Sequence, residues 1–231
     1  MLRGIDLSCT RGERCLFAGL QLELSPGQCL HVAGNNGAGK TSLLRILAGL
    51  LAPTQGSVQW KGAGIAGHRE EYGADLAFVG HLNGIKDDLT ALENVCFEAA
   101  LRGRGAPAGT DPAALAALDR VGLADYADVP VRHLSQGQKR RVALARLCGP
   151  VAAPLWILDE PFNALDAGAV TTLYGLIAGQ LAGGGMVVLT AHQSVQLPAG
   201  ARRLELAGAD ASAGEGADAA PDAGAGAAMP P

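Results

Sequence analysis

One segment of this sequence, residues 34–41, restricts the possible folds more than any other. It reads GNNGAGKT and fits the pattern G-x-x-x-x-G-K-[ST] at every fixed position. An apolar run, Cys29–Ala33, precedes it, and an amphipathic stretch, roughly Lys40–Leu50, follows it. A buried strand, a glycine-rich loop and a helix in this order predict an α/β domain whose loop wraps around phosphate groups.

The residues of this loop have distinct predicted tasks in holding a nucleotide. Lys40 is expected to bridge the β- and γ-phosphates, the Thr41 hydroxyl to bind Mg²⁺, and Ser42 to reach the α-phosphate. A glycine-rich turn with an accidental lysine is the alternative, and the flanking strand and helix disfavour it. The backbone N–H groups that would point at phosphate oxygens belong to Gly34, Asn35, Asn36, Gly37, Ala38 and Gly39.

Two carboxylates follow a second apolar run, Leu155–Leu158. Asp159, at the end of this predicted strand, is expected to hold Mg²⁺ directly or through water. Glu160 is placed to polarise an attacking water as a general base. A solvated strand end is the alternative. The acidic pair is a weak signal alone and a strong one as the partner of Lys40.

Further apolar runs outline the rest of the sheet structure. Leu76–Val79 and Met186–Thr190 do not alternate with polar residues, which is typical of parallel strands covered on both faces. Two shorter strands are predicted near the N-terminus, at Gly4–Ser8 and Gln21–Leu24.

Between these runs, residues 88–147 have a helical pattern. Thr90 and Glu93 have capping-box spacing, and Asp111 before Pro112 is a good N-cap for another helix.

Composition and charge exclude several classes of protein. The chain has 231 residues, a net charge of −4 and no run near the ~20 apolar residues that a membrane span needs. Arg140 and Arg141 make no basic stripe of the kind that nucleic acid requires, and a solvated helix face is expected for them. No signal peptide is recognisable, which favours the cytosolic side. The scattered cysteines favour buried apolar positions over disulfides or a zinc site: Cys9, Cys15, Cys29, Cys96 and Cys148.

The segment Leu134–Gln138 reads LSQGQ and closely resembles the signature of the ABC ATPase family, with Gln136 where glycine is more usual. Ser135 is predicted to be an N-cap, with a helix from Gln138 onward. The resemblance implies that each ATP lies between the phosphate loop of one subunit and Ser135, Gly137 and Gln138 of the other. It therefore implies a head-to-tail homodimer with two sites.

The resemblance covers residues 1–206 and implies further site residues. Asp166 matches the loop that crosses the dimer interface, and His192 matches the histidine that contacts the γ-phosphate. Together with Glu160 and Lys40, His192 completes the predicted catalytic residues. The implied fold is a P-loop NTPase ABC cassette with a RecA-like core lobe, an antiparallel β subdomain and a helical subdomain at about 82–150. The low-complexity tail, 207–231, is predicted to be a disordered extension.

Two positions depart from the family pattern. His81 stands where a glutamine usually approaches Mg²⁺ or its water and faces the membrane subunit. A titratable group there predicts pH sensitivity, unless His81 only packs against its loop. Arg11 stands where an aromatic residue usually stacks on adenine, and it is either a stacking guanidinium or a solvated turn residue.

Three stretches, residues 80–94, 138–147 and 155–162, resemble the ATP-binding subunits of bacterial cytochrome c maturation complexes. This resemblance implies haem export or handling, integral membrane partners, a peripheral position on the cytoplasmic face of the inner membrane and no direct contact with cargo. Another ABC transporter remains an alternative. A soluble ABC ATPase usually has two cassettes or a coiled-coil insertion, and a small-molecule kinase would not need Leu134–Gln138 or Asp166.

Overall fold

The computed structural model describes residues 1–101, 111–149, 153–191, 198 and 200–207. Within these residues the chain forms two separate β-sheets and six α-helices. The strands are β1 (Leu2–Arg11), β2 (Arg14–Leu24), β3 (Cys29–Gly34), β4 (Gln55–Trp60), β5 (Ala63–Gly64), β6 (Leu76–Val79), β7 (Leu155–Leu158), β8 (Met186–Thr190) and β9 (Arg202–Leu206). The helices are α1 (Lys40–Leu47), α2 (Arg69–Asp75), α3 (Ala91–Leu101), α4 (Pro112–Arg120), α5 (Gln136–Ala145) and α6 (Ala167–Ala182).

The central sheet has the order β6-β7-β8-β3-β9, and its strands are parallel. Strands β6, β7 and β8 have the bounds that the sequence predicts, since each is an apolar run buried on both faces. The carboxyl ends of β3 and β7 therefore meet at one edge of the sheet, with β8 between them. This edge receives both the glycine-rich loop and the acidic pair.

The second sheet is antiparallel, in the order β2-β1-β4-β5. It packs with α1 against one face of the central sheet, in a core that includes Leu2, Leu24 and Val58. Strands β1 and β2 are longer than the predicted Gly4–Ser8 and Gln21–Leu24. Their added residues mix buried side chains, such as Leu2 and Phe17, with exposed ones, so that no continuous hydrophobic pattern marks them.

Helices α3, α4 and α5 form a core on the opposite face, where Val95, Leu118 and Val142 are buried. The predicted caps are present: Thr90 and Glu93 exchange hydrogen bonds at the start of α3, and Asp111 caps α4. Among the described residues, no helix is both long enough and apolar enough to span a membrane.

Three local predictions are corrected by the structure. Helix α1 ends at Leu47 rather than near Leu50, because the chain leaves the helix at Gly49 with a φ of 71°. Helix α5 begins at Gln136, two residues before the predicted start.

The third correction concerns a cysteine. Cys15 is exposed, whereas Cys9, Cys29 and Cys96 are buried as expected. Burial raises the pKa of the Cys29 thiol to about 11, so this group behaves as a small apolar residue.

Candidate nucleotide site

A cleft of about 440 Å³ lies at the carboxyl edge of the central sheet. It is lined by residues that are far apart in sequence: Leu16, Asn36, Gly37, Gly39, Lys40, Thr41, Ser42 and Glu160. The glycine-rich loop and the acidic strand end, which the sequence could only pair by inference, thus face the same space.

The loop itself is shaped by glycines in conformations that other residues rarely adopt. Gly34, Gly37 and Gly39 have φ values of 140°, 82° and 97°. At Gly39 a Cβ would come within 3.0 Å of the Leu16 Cβ, since β2 packs directly against the loop. Side chains at these positions would strain the loop or push β2 away.

Helix α1 begins at Lys40 with Gly39 as its N-cap and without a side-chain cap. The Lys40 ammonium donates hydrogen bonds to the carbonyl oxygens of Gly34 (2.7 Å) and Asn35 (3.1 Å). The charge is thus held over the loop, beside the uncapped N–H groups of the helix. Both features favour an anion in the cleft.

The carboxylate of Asp159 is buried and held from two sides. The Thr41 hydroxyl donates to its Oδ2 at 2.9 Å, and the Thr190 hydroxyl donates to its Oδ1 at 2.8 Å. Thr190 also accepts a hydrogen bond from the Glu160 backbone N–H at 2.8 Å. Sequence reasoning did not identify this role of Thr190; its signal is a hydroxyl at the end of an otherwise apolar strand.

Glu160 turns the chain sharply where it leaves β7. Its φ is 47°, in a region that non-glycine residues occupy at a cost of about 1–3 kcal/mol. This conformation lets the Glu160 side chain line the cleft while its backbone carbonyl faces helix α5. The Asn163 amide donates to the Glu160 carboxylate and orients it.

The Thr41 and Asp159 oxygens suit a hard divalent cation. Hydroxyl and carboxylate oxygens are the donors that Mg²⁺ prefers, and Mg²⁺ in nucleotide sites keeps phosphate oxygens and waters as its other ligands. These two side chains already lie within hydrogen-bonding distance of each other at the cleft.

The signature segment forms a helix N-terminus that is capped by its own side chains. Ser135 is the N-cap of α5: its hydroxyl accepts from the Gln138 N–H at 3.2 Å, and the Gln138 side chain accepts from the Ser135 N–H at 2.8 Å. Ser135 is exposed, and Ser135, Gly137 and Gln138 do not line the cleft formed by their own chain.

Asp166, His81 and Arg11 do not line this cleft. Asp166 is exposed and caps α6 by accepting a hydrogen bond from the Ala169 N–H. His81 is exposed on the loop after β6, and Arg11 is exposed at the end of β1. His192 lies outside the residues that the structure describes.

Arg140 corrects a further expectation. The sequence predicts a solvated face for it, but it is buried and donates hydrogen bonds to the backbone carbonyls of Asp159 and Glu160. No local pattern marks such a contact, because the partners are 19 and 20 residues away.

The sequence pattern of the ABC transporter family matches residues 17–163. The chain belongs to this family. Its curated relatives include several proteins named cytochrome c biogenesis ATP-binding export protein CcmA. The one from Dechloromonas aromatica is 52% identical over 207 residues, which cover 89% of this chain and 100% of the relative. The one from Methylococcus capsulatus is 50% identical over 201 residues, covering 87% and 95%.

Solved cassettes share this fold. A dimeric ATP-binding cassette in a post-hydrolysis state, bound to ADP and Pi, has a TM-score of 0.73 and 26% identity, with 84% of this chain and 88% of that chain covered. The predicted fold class is confirmed, and this ABC cassette is an ATP-binding, ATP-hydrolysing enzyme.

Proposed function

We propose that this cassette powers an ABC transporter of cytochrome c biogenesis, with haem export or handling as the coupled process. Relatives with this printed role are about 50% identical over most of the chain. The observation that carries the chemistry is the convergence of Lys40, Thr41 and Glu160 on one cleft.

In the proposed reaction, water attacks the γ-phosphorus of ATP in line with the bond to the β-phosphate oxygen. Glu160 accepts a proton from the attacking water, the bond to the leaving oxygen breaks, and ADP and phosphate result. Lys40 and the N–H groups of the loop bind the phosphates. Mg²⁺, held by Thr41 and Asp159, would neutralise phosphate charge when bound.

The second wall of each site is proposed to come from another copy of the chain. Ser135, Gly137 and Gln138 lie away from their own cleft, at an exposed helix N-terminus that suits a γ-phosphate. Asp166 is proposed to lie at the same interface, and His192 to contact the γ-phosphate. Two copies related by a two-fold axis would then form two sites.

A membrane subunit is proposed as the other partner, with the cassette on the cytoplasmic face of the inner membrane. A groove of about 650 Å³, lined among others by Leu50, Arg69 and Leu101, lies beside α2 and α3. Leu50 and Leu101 are 64% and 68% exposed, and apolar side chains gathered at one groove favour a protein contact.

The substitution Glu160→Gln tests both the proposed hydrolysis of ATP and the proposed cellular process. It removes the base and retains the shape, so that ATP binding should persist while turnover falls by at least about 100-fold. The measurements are ATP affinity and phosphate release by the purified full chain, and haem-stained c-type cytochromes in cells that carry the variant.

Glu23→Gln is the matched control, since this exposed carboxylate pairs with Arg3 on the antiparallel sheet. Ordinary turnover in Glu160→Gln would remove Glu160 from the role of base. If cells whose Glu160→Gln protein is inactive still make normal c-type cytochromes, the proposed role in cytochrome c biogenesis is wrong.

A further inference from the structure

Arg140 lies on α5, buried where two loops meet the acidic end of β7. Its Nη1 donates to the Gly80 carbonyl at 2.9 Å and to the Asn83 side-chain oxygen at 3.0 Å. Its Nη2 donates to the carbonyls of Asp159 at 3.0 Å and Glu160 at 2.8 Å. One guanidinium therefore joins α5, the loop after β6 and the acidic pair.

Stability alone is a poor explanation for a charge at this position. Arg140 is only 4% exposed, and burial lowers the pKa of its guanidinium, while the nearby carboxylates of Asp159 and Glu160 raise it. Its Nε has no hydrogen-bond partner among the described residues. Taking a guanidinium out of water is costly, so its hydrogen bonds largely offset this penalty instead of adding a large net stability.

The geometry of the contact explains why the residue is an arginine. The four acceptors lie on two segments of chain, and the planar fork of a guanidinium can bind both segments at once. A lysine has one side-chain nitrogen with three N–H donors, so it cannot occupy the positions of both Nη1 and Nη2 or serve all four acceptors.

A second contact ties the same helix to the same turn. At Gly137 a Cβ would lie 3.1 Å from the Ala164 carbonyl oxygen, so the first turn of α5 packs closely on the chain that follows Glu160. Ala164 also has a positive φ, of 61°. The strained turn from Glu160 to Ala164 is thus contacted by α5 at both of its ends, by Arg140 at Glu160 and by Gly137 at Ala164.

We propose that Arg140 is a positioning residue for ATP hydrolysis, which holds the backbone of Asp159 and Glu160 so that the Glu160 carboxylate stays over the cleft. This inference rests on the proposed role of Glu160 as the base. It places Arg140 out of contact with ATP, because Arg140 does not line the cleft. A displacement of about 1 Å in a catalytic group can lower a rate by about 100-fold.

Arg140→Met and Arg140→Lys test the proposal in the purified full chain. In Arg140→Met the melting temperature should fall, because four acceptors lose their donor, while ATP affinity should be retained because the phosphate loop is intact. The kcat should fall by about 10- to 100-fold. Arg140→Lys should have an intermediate kcat, since one ammonium group can make only some of the four hydrogen bonds.

Arg146→Gln is the control. Arg146 donates to the carbonyls of Asn83 and Gly84 and pairs with Glu98, so it anchors the same loop without touching the acidic pair. We expect Arg146→Gln to lower the melting temperature and to lower kcat much less than Arg140→Met does.

Wild-type kcat in Arg140→Met, full kcat in Arg140→Lys, or an equal loss of kcat in Arg146→Gln would each overturn the proposal. If Arg140→Met does not fold, the kcat of Arg140→Lys decides. An active Glu160→Gln protein would overturn the proposed base, and this inference with it. An inactive Glu160→Gln beside a fully active Arg140→Met would overturn this inference alone.

Discussion

Helices α1 and α5 both begin beside glycines, but their N-termini are completed differently. At α1 the cap is Gly39, the first N–H groups have no side-chain partner, and Lys40 lies over the loop. At α5 the side chains of Ser135 and Gln138 cap the backbone reciprocally, in an arrangement that contributes about 1 kcal/mol without any ligand. The first N-terminus leaves its N–H groups available to an anion, and the second is a stable, exposed surface element.

This difference shows how one chain could carry the two unlike halves of the proposed ATP site. The phosphate loop opens onto a cleft that its own acidic strand end completes on one side. The signature helix points elsewhere and needs no occupant in order to fold. A composite site can therefore form when two copies meet, from parts that are each folded beforehand.

The largest expected effect lies at the first N-terminus. Lys40→Ala removes the charge that would meet the β- and γ-phosphates, and ATP affinity should fall by about 100-fold, since charge-assisted hydrogen bonds contribute about 1.5–3 kcal/mol each. Titration with ATP measures it. Lys61→Ala is the control, because Lys61 pairs with Asp75 away from the cleft. Equal affinities in the two variants would mean that α1 does not bind phosphate as described.

A change at the second N-terminus should separate binding from turnover. Ser135→Arg should leave ATP affinity near the wild-type value, because the loop is intact, and should lower kcat by at least about 10-fold by obstructing the opposite wall. Steady-state kinetics and ATP titration on one preparation measure both. Ser135→Asp preserves an N-cap and adds a negative charge near the γ-phosphate. If Ser135→Asp turns over normally, the signature helix does not contact ATP.

The smallest expected effect is on the pH dependence of stability, and it concerns β3, the strand that precedes the phosphate loop. His31 is buried on β3, and its Nε2 lies 3.3 Å from the Ala191 carbonyl oxygen. Burial lowers the pKa of His31, and Arg203 and Lys40 lower it further, against the opposing effects of the Ala191 carbonyl and Glu205. Protonation therefore favours the unfolded chain. Stability should be full above about pH 6.5, the ordinary value for histidine, and should decline as pH falls below it.

Denaturant unfolding across this pH range checks the sign. His31→Gln retains a donor for Ala191 and should flatten the acid side of the profile. His133→Gln removes an exposed histidine beside the signature and serves as the control. If both variants flatten the profile equally, the burial of His31 is not the cause.

The parts of the fold that sequence predicted are those with a local signal. Strands β6, β7 and β8 are short apolar runs, and the caps at Thr90, Asp111 and Ser135 are residue types at fixed spacings. Strands β4, β5 and β9 were not predicted. They are short or polar elements at or near a sheet edge, and their strand conformation comes from pairing with distant neighbours rather than from their own pattern.

The candidate site likewise contains residues with a local sequence signal and residues without one. The phosphate loop and the acidic pair are contiguous in sequence, so that their residues could be named and their convergence inferred. Thr190 and Arg140 form hydrogen bonds with Asp159 and Glu160 from 19 to 31 residues away. No pattern in the neighbouring sequence indicates these contacts. The functions of His81, Asp166 and His192 stay predictions.

The most direct test of the composite site uses two purified heterodimers that carry the same two substitutions in different arrangements. The first joins a Lys40→Ala chain to a Ser135→Arg chain. The second joins a wild-type chain to a chain with both substitutions. If ATP lies between the loop of one copy and the signature of the other, the first heterodimer retains one intact site and the second retains none. Single-turnover ATP hydrolysis should therefore occur in the first heterodimer and be absent from the second; hydrolysis in the second and none in the first would contradict the account.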